Sequence, residues 1–136
     1  MNAVSQSLAG LPGFLLYFLL GLVLISVFVG VYIRVTPYNE IALIREGNAA
    51  AAVSLSGALI GFVLPLASAI AHSVSWLDMV IWGVVAFVAQ IAVYFVVARM
   101  VPRLAEAIRA GRVSAATLLA ALSVATGILN AASMTW

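Results

Sequence analysis

An all-α integral membrane fold is predicted: four transmembrane helices arranged as two hairpins that repeat in parallel orientation, with a short interfacial helix in each of two cytoplasmic loops. Three observations carry it. Of the 136 residues, 66% are hydrophobic and 7% charged, where a soluble domain is about half apolar and about a quarter charged. Four stretches, residues 12–33, 49–71, 77–98 and 115–134, are each apolar over the length that a helix needs to cross about 30 Å of hydrocarbon. The six basic residues are all arginines and fall only in the segments joining the first stretch to the second and the third to the fourth. So little charge cannot wet the surface of a soluble domain, and the spans leave room for nothing beyond a single membrane domain over 1–136.

The first span has no basic stretch ahead of it, its apolar run is long, and its nearest arginine, Arg34, follows it, so it reads as a retained anchor and not a cleaved signal. In the segment after it, Pro37 is expected at the first position of a short helix that stops at Gly47, and Asn48 is placed to cap the second span. The third span contains Asp78, the one charge inside any span, and Gln90 near its middle. A second short helix is expected between Pro102 and Gly111, with Ser114 capping the fourth span. By the positive-inside rule both arginine-bearing loops are cytoplasmic and both termini outside. Trp76, Trp82 and Trp136 then mark the outer edge, and Tyr32 and Tyr38 the inner one.

The two loops resemble each other. Arg34-Val35-Thr36-Pro37 matches Arg99-Met100-Val101-Pro102, and after a one-residue slip Ile44-Arg45-Glu46-Gly47 matches Ile108-Arg109-Ala110-Gly111. Gly61-Phe62-Val63 aligns with Gly127-Ile128-Leu129 after two. The expectation is an internal repeat over 12–71 and 77–134. Because each copy has an even number of spans, the copies keep one orientation and are related by an axis along the membrane normal.

Arg34-x-x-Pro-Tyr-Asn-Glu40, Gly47-Asn48-Ala49-Ala50-Ala51, the run from Gly57 to Ser68 and the ending Gly127-Ile128-Leu129-Asn130-Ala131-Ala132 make the chain similar to the YjfL-like family of small bacterial inner-membrane proteins, a duplicated domain of unknown function. The resemblance covers nearly the whole chain. It implies a bacterial inner membrane, four spans and two repeats, and it brings no catalytic residue, cofactor or substrate. Some relatives are encoded beside envelope-stress proteins, which implies a link to envelope maintenance.

Ser54, Gly57, Gly61, Pro65 and Ser68 recur at helical spacing on the second span, and Ser123, Gly127 and Asn130 answer them on the fourth. Small residues let helices approach closely in lipid, so these stripes are read first as packing surfaces, within one chain or across a homo-oligomer. The alternative is a narrow polar path along spans two and four. Gln90 is read as an interhelical hydrogen-bonding residue worth about 1 kcal/mol. Pro65 is read as a kink absorbed by neighbouring helices, the alternative being a broken helix whose freed carbonyls bind an ion. His72 and Asp78 form a titratable outer pair, with Asp78 also suited to the positive end of the third helix. Arg34, Arg45, Arg99, Arg103, Arg109 and Arg112 are candidates for contact with anionic lipid or a cytoplasmic protein partner. Glu40, Glu46 and Glu106 read as local charge balance for these arginines.

The sequence presents no nucleophile beside a base and no metal-ligand spacing, so no enzyme, cofactor, metal or nucleic-acid partner is expected. The function expected is a membrane scaffold or interaction subunit, homo-oligomeric and in contact with lipid. The alternative is a small oligomeric channel or transporter.

Overall fold

The structure, a computed structural model, describes residues 2–134; Trp136 lies outside them. It consists of α1 (Ala3–Leu8), α2 (Leu11–Val35), α3 (Glu40–Arg45), α4 (Ala49–His72), α5 (Trp76–Met100), α6 (Leu104–Arg109) and α7 (Val113–Ser133), with no strand among the described residues. Helices α2, α4, α5 and α7 are long and apolar enough to cross a membrane. Their limits differ from the expected spans by at most two residues at either end. The short α1 was not anticipated; the Asn2 side chain caps it by accepting from the Ser5 N–H at 2.8 Å.

Helix α4 lies at the centre, packed most closely against α7 and flanked by α5. It buries Ala50, Ser54, Gly57, Gly61, Pro65 and Ala69 among others, a face that recurs every three or four residues. Helix α5 contributes the stripe Met79, Gly83, Ala86, Gln90, Tyr94 and Val97. Its other faces expose Ile81, Val84, Val88 and Val96. The third span therefore turns the face that carries Gln90 inward and leaves its other faces to lipid. Helix α2 buries only Gly21, Phe28 and Tyr32 and leaves Phe14, Phe18, Leu22 and Val27 outside. It is attached chiefly through aromatic contacts: Phe28 stacks on Phe62 of α4 with ring centroids 4.5 Å apart and meets Phe87 of α5 edge-on at 5.4 Å.

Both arginine-bearing loops end in the same device. After α3, Gly47 takes φ +88° and donates to the Ile44 carbonyl, while Asn48 donates from its backbone to Leu43. After α6, Gly111 takes φ +80° and donates to Ile108, while Arg112 donates to Ala107. These are Schellman closures, which satisfy the last carbonyls of a helix and require a left-handed residue. The residue after each glycine is extended and serves at once as N-cap of the next long helix. Arg112 therefore occupies the cap position of α7, and Ser114 falls inside the helix instead of capping it. The closure leaves no spare residue between glycine and cap.

The starts of the short helices also differ from expectation. Pro37 and Pro102 precede the N-caps Asn39 and Arg103 and do not open the helices themselves. Asn39 accepts from the Ala42 N–H at 3.2 Å, so the asparagine supplies the start signal assigned to the proline. The second linker is one residue shorter, and Arg103 makes the turn with φ +58°, the only positive φ outside glycine among the described residues. The one-residue slip between the two loops is thus absorbed in backbone conformation. Asn48 joins the two halves: its Oδ1 accepts from Ala51 N–H at 3.0 Å, and its Nδ2 donates to the Ile108 carbonyl at 2.8 Å.

Two substitutions test this reading by unfolding in detergent micelles. Asn48→Ala removes a cap and a bond between the halves and is expected to cost about 1–2 kcal/mol. Arg103→Gly relieves the left-handed strain and is expected to stabilise by about 1 kcal/mol.

Candidate functional site

The small residues of α4 and α7 meet at backbone distance. A Cβ added to Gly57 would collide with Ala120, one on Gly61 with the Ser123 carbonyl, and one on Gly127 with the Gly61 carbonyl and, at 2.6 Å, its Cα. The hydrogen of the Gly127 Cα thus points at the Gly61 oxygen, and that of Gly61 at the Ser123 oxygen, as in the Cα–H···O contacts that recur where helices cross closely. Pro65 has no N–H to offer the Gly61 carbonyl four residues earlier. Helix α4 nevertheless runs unbroken through Pro65, which is itself buried. The freed carbonyl faces the partner helix.

Gln90 of α5 closes the same junction. Its Nε2 donates to the Ser123 carbonyl at 3.1 Å, and its Oε1 is buried without a partner. Ser54 is buried and donates to the Ala51 carbonyl of its own helix at 3.1 Å. Toward the other end of the seam Ser68 donates to the Ala131 carbonyl at 3.4 Å. Asn130 holds a buried Nδ2 without a hydrogen-bond partner. On the outward side of the seam lies an open apolar groove of about 720 Å³, lined by Ala52, Ser56, Ile60, Thr117, Ala121 and Val124 among others.

His72 and Asp78 flank the turn between α4 and α5, and each is engaged locally. Asp78 donates its N–H to the Ser75 hydroxyl at 3.2 Å and accepts from the Val74 N–H at 3.4 Å, which makes it part of the N-terminal cap of α5. The His72 Nδ1 lies 2.9 Å from the Ser68 carbonyl of its own helix.

The topology gathers all six arginines at the opposite end of the four helices, each of them exposed. Arg103 lies 3.9 Å from Glu106 in an exposed pair that contributes little. Arg109 donates to the Pro37 carbonyl and so ties the second loop to the first.

Beneath this end lies a polar cluster that the sequence reading missed. Glu40 was expected among the arginines as charge balance; it is fully buried and makes no ion pair. Asn39 starts α3 and so sets Glu40 at its first residue, turned inward. Its Oε1 lies 2.5 Å from the Thr36 hydroxyl, while its Oε2 and the hydroxyls of Tyr32 and Tyr38 are buried without hydrogen-bond partners. The Tyr94 ring sits edge-on to Tyr32 and Tyr38, with centroids 6.1 and 6.5 Å away. Burial pushes the Glu40 carboxyl above the ordinary carboxylate range, opposed by the bonds it makes to Thr36 and to its own backbone. Burial likewise pushes the Tyr38 phenol up, reinforced by the neighbouring Tyr32, Tyr94 and Glu40. One signal was available: Thr36-Pro37-Tyr38-Asn39-Glu40 has two aromatic or hydroxyl side chains before an acid, and the second loop has no acid at the matching place.

Residues 6–134 match the family described as Domain of Unknown Function (DUF350). The UPF0719 inner membrane protein YjfL of Escherichia coli strain K12 is 39% identical over 129 residues, covering 95% of this chain and 98% of the relative. The UPF0719 transmembrane protein YshE of Bacillus subtilis strain 168 is 30% identical over 87 residues, 64% of this chain and 65% of the relative. No solved structure matches the chain. The chain belongs to the DUF350 family, and it is a membrane protein with four apolar spans.

The seam predicts a contrast between glycines. Gly61→Ala is expected to lower unfolding stability by about 1–3 kcal/mol through overpacking, whereas Gly30→Ala on α2, with nothing within 4 Å of the added Cβ, is expected to be neutral or slightly stabilising. Equal effects in a denaturant titration would contradict the close seam.

Proposed function

We propose that this member of the family is a non-enzymatic scaffold or interaction subunit of the bacterial inner membrane, built as a duplicated helical hairpin, with both termini outside and its arginine-bearing loops in the cytoplasm. The observation that carries the proposal is the contrast between a seam closed at backbone distance and an end of the bundle on which six arginines stand exposed. Between α4 and α7 within one chain there is no width for water or an ion, since even a methyl group would collide there. What the chain offers to others is a positive surface at one end and apolar faces along its length.

Arginine is suited to such a surface, because its planar guanidinium binds phosphate and carboxylate in bidentate fashion and keeps its charge. The ligand class is an anionic lipid headgroup or an acidic patch on a soluble cytoplasmic protein. The small-residue groove beside the seam supports association of copies in lipid, where close packing takes the place of a hydrophobic drive. The YjfL relative's description as an inner membrane protein supports the location. A channel or transporter would have to place its path between copies. A ring of four or more subunits, measured by native mass spectrometry from lipid nanodiscs, would favour that alternative, and a monomer or dimer would favour the scaffold.

Arg109 holds the loops together, so the informative variant spares it. Replacing Arg34, Arg45, Arg99 and Arg112 with Gln is expected to reduce retained anionic lipid, counted by native mass spectrometry, by tenfold or more, at about 1 kcal/mol per arginine near the surface. Unchanged lipid retention, together with an unchanged set of co-purifying cytoplasmic proteins, would remove the basis of the proposal.

A further inference from the structure

The Thr36 hydroxyl has one hydrogen to give and three oxygens within reach: the Ile33 carbonyl at 3.2 Å, the Tyr38 carbonyl at 3.0 Å and Glu40 Oε1 at 2.5 Å. If Glu40 were ionised, its carboxylate would have only that hydrogen and a bond from its own backbone, and Oε2 would remain a buried anionic oxygen without a hydrogen-bond partner. Isolated buried carboxylates are avoided for this reason: they take up a proton or acquire a cationic partner. Among the described residues no cationic group pairs with it. Helix α2 brings Tyr32 to the cluster, the linker Tyr38 and α5 Tyr94; α4 brings Ser54, which does not titrate; and the Arg109 guanidinium of α6 is engaged by the Pro37 carbonyl.

We propose that Glu40 is a proton-binding site, held at neutral pH as a carboxylic acid that donates from Oε1 to the Thr36 hydroxyl, which in turn donates to the Tyr38 carbonyl. Every hydrogen in the chain of bonds then has one acceptor, and the 2.5 Å separation is within the range of an O–H···O bond donated from either side. The raised affinity of the buried carboxyl for a proton has the same direction. Loss of the proton puts a bare negative charge among three tyrosine rings and so destabilises the fold. Because the folded form binds the proton more tightly than the unfolded one, this stabilisation is complete below the ordinary carboxylate pKa and is lost as pH rises through the raised value.

Infrared spectroscopy of the protein in liposomes tests this directly. The wild type at neutral pH is expected to show the carbonyl stretch of a protonated carboxyl, absent in Glu40→Gln and retained in Glu46→Gln and Glu106→Gln. In Thr36→Val the band is expected to move to higher frequency as its hydrogen bond is lost. Glu40→Gln should also abolish the fall in stability with rising pH. A wild-type spectrum without the band overturns the proposal whatever the variants do, and so does a band that survives Glu40→Gln.

Discussion

The close contact of α4 with α7 is the constraint on which the rest of the bundle depends. Lipid tails are as apolar as leucine, so helices in a membrane gain little by hiding hydrophobic surface and must instead gain dispersion and weak polar contacts by approaching closely. Gly57, Gly61 and Gly127 permit that approach because nothing larger than hydrogen fits between the backbones. Gln90 adds a hydrogen bond from the third helix at the same level. With three helices fixed in this way, α2 needs only an aromatic contact at Phe28 and Tyr32 to find its place, and the rest of its surface is left to lipid.

The same closeness explains how a proline is tolerated in the most buried helix. Pro65 deprives the Gly61 carbonyl of its helical donor, yet the orphaned oxygen faces a Cα hydrogen of α7 and not hydrocarbon. The fourth helix has Ala131 near the corresponding place. The two halves share their loop closures but differ in the polar groups they bury: Gln90 and Glu40 have no counterparts of like chemistry in the other half.

Much of the architecture could be read from residue spacing. The lengths of the apolar runs located the four long helices to within one or two residues, and Gly47, Gly111 and Asn48 announced the ends and starts of helices because each has a backbone requirement that few other residues meet. The facing small residues of spans two and four likewise pointed to each other. What stayed hidden depends on three dimensions. Glu40 lies between two arginine-bearing stretches in sequence, and only the inward turn of α3 shows that its carboxyl is buried under tyrosines. Arg103 adopts a left-handed conformation for which an arginine side chain gives no sign. Ser114 looked like a cap because serine favours that role; the Schellman closure had already assigned the position to Arg112. The inward stripe of α5 was obscured because valine and phenylalanine serve equally on a lipid face and a core face.

The pairing of the second long helix with the last also bears on how the protein is made. During synthesis α4 enters the membrane with its glycines and its proline facing nothing, and it remains so while α5 and α6 are added. Only when α7 has been made can the seam close, and α4 and α7 are the least apolar of the four long helices. Without α7 the Gly61 carbonyl would lack its contact and the small-residue face of α4 would stand open in the bilayer. Addition of α7 is in effect the step that shields the helices made before it.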